Sequence, residues 1–162
     1  MKPRQLDDID RKILKVLQED SRQSLVEVAE KAGLSTSPIL RRIRQLEKAG
    51  VIRRYVAVLD QTRVGLPVSV FVSIKLEQQR EQALQKFARA IERWPEVLEC
   101  YLMTGPRDYL LRVVVADLGE YERFLKQKLT RLDGIASIES SFALEQVKYT
   151  NLLPLPDQQS SG

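Results

Sequence analysis

Arg41, Arg44 and Lys48 recur at intervals of three and four residues, with Ser37 a turn before them and Gln45 among them. Placed at 100° per residue on a helix, these five side chains fall on one side, and Ile39, Leu40, Ile43 and Leu46 fall on the other. The apolar side can pack, and the cationic side can meet a polyanion. A helix fits the width of the DNA major groove, where Arg, Ser and Gln reach both phosphates and base edges. Ser35 and Thr36 at the start of the helix, Arg42 within it, and Arg53 and Arg54 just beyond it complete the candidate DNA-binding set.

The surrounding sequence supplies the elements that would hold this face. Asp7 is a plausible N-cap for a helix carrying Ile9, Ile13, Val16 and Leu17 inward. Ser24 and Glu27 have capping-box spacing for a second helix, with Leu25, Val28, Ala29 and Ala32 on one side. Gly33 breaks that helix, because glycine tolerates the left-handed conformation of a sharp turn. Ser35 can then cap the third helix, over residues 36–49, with Pro38 still inside its first turn. That helix is about 21 Å long at 1.5 Å per residue. Helix, tight turn, helix is the order of a helix-turn-helix. Gly50 ends the third helix, and residues 51–59 alternate as a strand, which would form a wing beside it.

Charge agrees with this division. Residues 1–60 hold 13 Lys and Arg against 9 Asp and Glu, whereas residues 61–162 hold 13 of each, so the net +4 belongs to the first third of the chain. That asymmetry points to an anionic partner for the N-terminal part. The chain contains no histidine and one cysteine, Cys100. An internal disulfide is excluded, and the usual metal-ligand clusters and the commonest general base are missing. Glu96 and Glu99 make no acid and base pair, and no set of nucleophile, base and anion hole can be assembled, so neither catalytic nor metal-binding residues are expected. Cys100 is read as packing, and Trp94, Tyr101 and Met103 as core or interface. No run is long enough for a membrane span and no secretory leader is evident, so a cytoplasmic protein is expected.

The second half alternates differently. Val68, Val70, Val72, Ile74 and Leu76 mark a strand, and Leu84, Phe87, Ala88 and Ile91 trace a helix ending at Trp94. A second strand runs over 97–104, the Gly105-Pro106-Arg107-Asp108 turn follows, and a third strand covers 109–115. Asp117 and Glu120 cap a helix that Gly134 stops, and residues 135–149 return as a long strand. The order β-α-β-β-α-β closes as an antiparallel sheet with helices on one face, leaving the other face for self-association.

Leu6-Asp7-Asp8-Ile9-Asp10-Arg11-Lys12-Ile13-Leu14, Leu34-Ser35-Thr36-Ser37-Pro38, Arg41-Arg42-Ile43 and Leu46-Glu47-Lys48-Ala49-Gly50-Val51-Ile52 resemble the winged helix-turn-helix of the Lrp/AsnC, or feast/famine, family. The resemblance covers nearly the whole chain. It implies an α+β protein: a winged helix-turn-helix domain at 1–60, a linker at 61–67, a ferredoxin-like βαββαβ effector-binding and oligomerisation domain at 68–150, and a tail at 151–162 with a disordered end. It implies a transcription regulator with no cofactor, whose partners are double-stranded DNA, a small amino-acid effector and further copies of itself, as dimers that assemble into octamers. Nucleoid association follows from that role. Thr104-Gly105-Pro106-Arg107-Asp108-Tyr109 resembles the family's effector turn, G-x-x-D followed by an aromatic. Met103, Thr104, Gly105, Asp108 and Tyr109 are therefore effector candidates, with Ser140 and Ser141 of the last strand as further hydrogen-bonding groups. Turn N–H groups can hold an α-carboxylate and Asp108 can accept from an α-ammonium. Pro106 removes one such donor, and Arg107 either meets the carboxylate or points to solvent. An architectural DNA-coating protein without effector control would use the same third helix.

Overall fold

In the computed structural model, which describes residues 5–156, the first helix begins where the sequence can cap it. The Asp7 carboxylate accepts from the Asp10 N–H at 2.8 Å, opening α1 (Asp8–Glu19). Ser24 and Glu27 close a full capping box on α2 (Leu25–Ala32): the Glu27 N–H donates to the Ser24 hydroxyl, and Glu27 accepts from the Ser24 N–H at 2.7 Å. Two orphan donors of the first turn are satisfied in this way. Gly33 turns the chain at φ 75°, a left-handed conformation that disfavours side chains, and α3 (Thr36–Lys48) follows. Ser35 occupies the N-cap position of α3, yet its hydroxyl makes no capping bond. Ile13, Val28, Ala32, Ile39 and Leu46 close the three-helix core. Full burial of each of the large apolar side chains is worth about 1.5–3 kcal/mol. Leu40 departs from its expected inward position, being 37% exposed at the edge of the basic face.

The strand expected over residues 51–59 does not form. The N–H groups of Val51 and Ile52 both turn back to the Leu46 carbonyl, and no described strand lies beside the extended stretch that follows. Alternation makes a strand only when a ladder partner is present. Val56, Val58 and Leu59 are accordingly exposed.

The chain divides into two compact units, residues 5–57 with 148–156, and Val58–Val147. The segment expected to be a linker begins the second unit with a turn in which Leu66 N–H reaches the Gln61 carbonyl. The segment expected to be a tail belongs, as far as residue 156, to the first unit; residues 157–162 lie outside the described residues.

The second unit runs β1 (Val68–Leu76), α4 (Glu81–Ile91), β2 (Val97–Leu102), β3 (Tyr109–Val115), α5 (Leu118–Gln127), a single 3-10 turn (Leu129–Arg131) and β4 (Ile135–Phe142). The strands lie in the order β2-β3-β1-β4, every pair antiparallel. Val70, Val72, Ile74 and Leu76 face Tyr109, Leu111, Val113, Phe87, Ile91 and Phe124 in one core. The alternate residues, among them Phe71, Arg112 and Tyr101, form the sheet's other face. Strand β4 is shorter than expected because β1 begins only at Val68, and the ladder closes with the Ala143 N–H on the Ser69 carbonyl. Helix α5 also ends early, at Gln127 rather than near Gly134, and the 3-10 turn fills the difference. Among the described residues, no helix is long and apolar enough to cross a membrane.

Candidate nucleic-acid interface and effector site

Helix α3 presents its basic side as expected. Ser37, Arg41, Arg44, Gln45 and Lys48, joined by Leu40, line a shallow exposed groove of about 330 Å³. Among the described residues no carboxylate forms an ion pair with Arg41, Arg44 or Lys48, so their charge is available to an external anion. Ser35 is exposed and Thr36 half-buried at the helix start; Arg53 and Arg54 are exposed on the irregular segment beyond the C-terminus. That segment is tied back to α3 by Tyr55, whose hydroxyl donates to Glu47 at 2.9 Å. Burial, then the adjoining Glu47 carboxylate, pushes the Tyr55 pKa to about 12, so this bond persists throughout the neutral range.

Arg42 stands apart from the other candidates. One of its terminal nitrogens donates to Asp7 at 2.6 Å and to Asp10 at 2.9 Å. Asp10 is 1% exposed. These hydrogen bonds raise the guanidinium pKa above its ordinary value, the Asp7 bond first, and commit Arg42 to holding α1 against α3. The sequence contains a signal for this: Asp10 lies three, four and seven residues before Ile13, Leu14 and Leu17, a charge on the apolar side of α1 that requires a partner.

The effector candidates are not gathered in one place. Met103, Thr104 and Gly105 are exposed in the β2–β3 turn. Asp108 is buried, with one carboxylate oxygen accepting from the Leu76 N–H at 2.7 Å and the other from the Gln79 side-chain amide at 2.7 Å. It fastens the turn to the end of β1, and the ammonium-accepting role expected of it is already filled by protein donors. Tyr109 is buried too, its ring stacked on Phe87 at 4.5 Å and its hydroxyl donating to the Leu84 carbonyl. Ser140 and Ser141 are on opposite faces of β4: Ser140 bonds Tyr121 inside the helix-covered side, and Ser141 is exposed across from Phe71. Arg107 bridges the gap, donating to the Ser137 hydroxyl at 2.7 Å and to Glu139, both on β4.

Cys100 is exposed rather than packed, because β2 is an edge strand; Tyr101 on that strand and Met103 in the turn beyond it are exposed too, which leaves them outside the core. Cys100 nonetheless pairs with Leu111 on the helix-covered side, and desolvation pushes its thiol to about 11, leaving it protonated at neutral pH. Trp94 does pack, edge-on against Phe124 at 5.5 Å.

Residues 6–53 match a family model described as winged helix-turn-helix DNA-binding, and residues 69–153 match the Lrp/AsnC ligand binding domain. The chain is 46% identical over 151 residues to the Bkd operon transcriptional regulator of Pseudomonas aeruginosa, covering 93% of this chain and 99% of that protein. It is 41% identical over 150 residues to the DNA-binding transcriptional activator DecR of Escherichia coli, again covering 93% and 99%. An AsnC family transcriptional regulator from Agrobacterium tumefaciens superposes with a TM-score of 0.87 at 47% identity, over 92% of this chain and 97% of that one. A transcriptional regulator from Neisseria meningitidis, solved in complex with L-Met, superposes with a TM-score of 0.87 at 40% identity, over 93% and 97%.

Two outcomes follow from the Asp7–Asp10–Arg42 cluster. Arg42→Ala removes the guanidinium that bonds the buried Asp10 and the capping Asp7 and is expected to destabilise the first unit by about 3 kcal/mol, whereas Arg41→Ala stays within about 0.5 kcal/mol; chemical denaturation measures both. Burial raises the Asp7 pKa, but the Asp10 N–H and Arg42 outweigh it and hold the carboxyl below 3.8. The stability it contributes is therefore present above that value and lost as pH falls through the lower, folded pKa. Thermal unfolding followed against pH is expected to show a first-unit loss on acidification, to which the Glu27 and Asp20 carboxyls, also held low, contribute as well, and which is shallower in Asp7→Asn.

Proposed function

The chain belongs to the Lrp/AsnC family of DNA-binding transcription regulators, and from that premise we propose that α3 enters the major groove with Ser37, Arg41, Arg44, Gln45 and Lys48 toward the DNA. Arg42 stays inside the protein as the strut behind that helix. Ser35 and Thr36 meet phosphate at the helix start, and Arg53 and Arg54 meet phosphate beyond its end. The observation that carries this reading is the alignment of three cations on one exposed groove with no carboxylate of the described chain against them. Phosphate contacts of Arg41, Arg44 and Lys48 set affinity and its salt dependence, while Ser37 and Gln45 supply the base contacts that set sequence preference.

A two-fold pair of such helices reads half-sites about one helical turn apart. Self-association uses the sheet face opposite α4 and α5, where Phe71 is 40% and Tyr101 53% exposed. The dimers in turn assemble toward octamers. The second unit binds a small amino acid, a reading supported by the L-Met held in the Neisseria relative. Its accessible groups here are the N–H groups of the exposed turn at Thr104 and Gly105, since the Met103 N–H donates to the Asp108 carbonyl and Arg107 is held by Ser137 and Glu139, with Asp108 keeping the turn in place. Effector binding alters assembly, and so DNA binding, if the ligand prefers one arrangement by about 1–3 kcal/mol. The protein works on nucleoid DNA in the cytoplasm, by binding rather than by turnover.

Replacing Arg41 and Arg44 together with Ala is expected to weaken operator binding and to reduce the slope of log affinity against log salt by about 1.8, at roughly 0.9 per lost phosphate contact. An unchanged slope in a competition assay across salt concentrations overturns the assignment of that face. Among the twenty amino acids, the effector is expected to raise the melting temperature and to change particle size in light scattering. Binding indifferent to DNA sequence, with no amino acid having either effect, identifies a DNA-coating protein instead.

A further inference from the structure

The last described residues make contacts that neither the helix-turn-helix nor the sheet requires. Beyond Val147 the chain leaves the second unit, and residues 148–156 pack with the first. The Gln18 side-chain amide accepts from the Leu153 N–H at 2.7 Å and donates to the Leu153 carbonyl at 3.3 Å, a two-point grip on backbone. Arg11, two helical turns before Gln18 on α1, donates to the Pro156 carbonyl and also to the Leu6 carbonyl at 3.3 Å. Leu155 lies half-buried against the cluster built on Ile13, Val28, Ile39 and Leu46. Pro154 and Pro156 fix two φ angles in this stretch, which lowers the entropy lost when it is held extended.

We infer that residues 148–156 form a strap: a continuation of the chain leaving β4 that completes the core of the DNA-binding unit and clamps α1. Helix α1 also carries Asp7 and Asp10, the two carboxylates that hold Arg42 of α3. The DNA-contacting helix is thus steadied by the segment that follows the effector-binding unit, and the two units are joined at two places in the chain, near residue 57 and near residue 147. The strap's grip on α1 is independent of the functional reading; its effect on DNA affinity rests on that reading of α3.

Amide hydrogen exchange of the full-length protein tests this, comparing wild type with Gln18→Ala, with Leu153→Pro, and with a chain ended after Lys148. Loss of the strap contacts is expected to speed exchange in α1 by about fivefold or more, to leave β1 and β3 unchanged, and to lower operator affinity by about threefold or more. Wild-type exchange in α1 for both point variants overturns the strap, as does α1 protection that falls on dilution, which makes the clamping segment a second copy's. Where the shortened chain fails to fold, Gln18→Ala decides, because it keeps every apolar contact of Leu155. A wild-type protein without operator affinity counts against the function proposed above, and α1 exchange alone then judges the strap.

Discussion

A carboxylate sealed into a small helical core constrains everything around it. Asp10 is 1% exposed, and a charge so placed is tolerated only where a cation and hydrogen-bond donors meet it. Arg42 supplies both, reaching Asp10 and the capping residue Asp7 with a single nitrogen. That contact joins the N-terminus of α1 to the middle of α3 with a directional bond, whereas apolar packing alone would let the two helices slide or roll. A helix that reads base edges must be held to a fraction of an ångström by supports whose own conformations are fixed. One arginine of the basic run is therefore spent inward so that its neighbours can be aimed outward.

The second unit uses a buried carboxylate for a similar purpose. Asp108 accepts from the Leu76 N–H and from Gln79, so the exposed turn between β2 and β3 is anchored to the end of β1 and to the connection leading into α4. Gly105, at φ 107°, allows the chain to reverse there. The turn is accessible at Met103, Thr104 and Gly105 while its last residues, Asp108 and Tyr109, are part of the core. Arg107 reaches across to Ser137 and Glu139. A group bound at this turn is thereby one side chain away from the last strand of the unit.

Most of this architecture was legible in the sequence, because its signals are local. The capping box at Ser24 and Glu27, the glycine turn at Gly33 and the 3.6-residue period of α3 each depend on residues within a few positions of one another. Strands β1 and β3 begin and end where their alternation does. What was not legible depends on partners distant in the chain. Residues 51–59 alternate like a strand but have no ladder to join, and β4 stops where β1 runs out. Arg42 looked like Arg41 and Arg44 until a carboxylate 32 residues earlier was placed beside it. Asp108, fully suited to a ligand ammonium by type, is taken by the Leu76 N–H, also 32 residues away. Leu-Pro-Leu-Pro reads as a tail by composition, and only the position of Gln18 gives it a place to dock.

The return of residues 148–156 to α1 also bears on how the protein is made. The three N-terminal helices emerge from the ribosome early, with local contacts and short connections that favour rapid folding. Their packing nevertheless lacks Leu155 and the grip on Gln18 until the whole sheet has been synthesised, at about 5–20 residues per second. Through that interval the nascent chain carries a cationic helix on a unit still missing its last apolar contact. The finished arrangement of the DNA-binding unit is reached after the effector-binding unit exists in the same polypeptide.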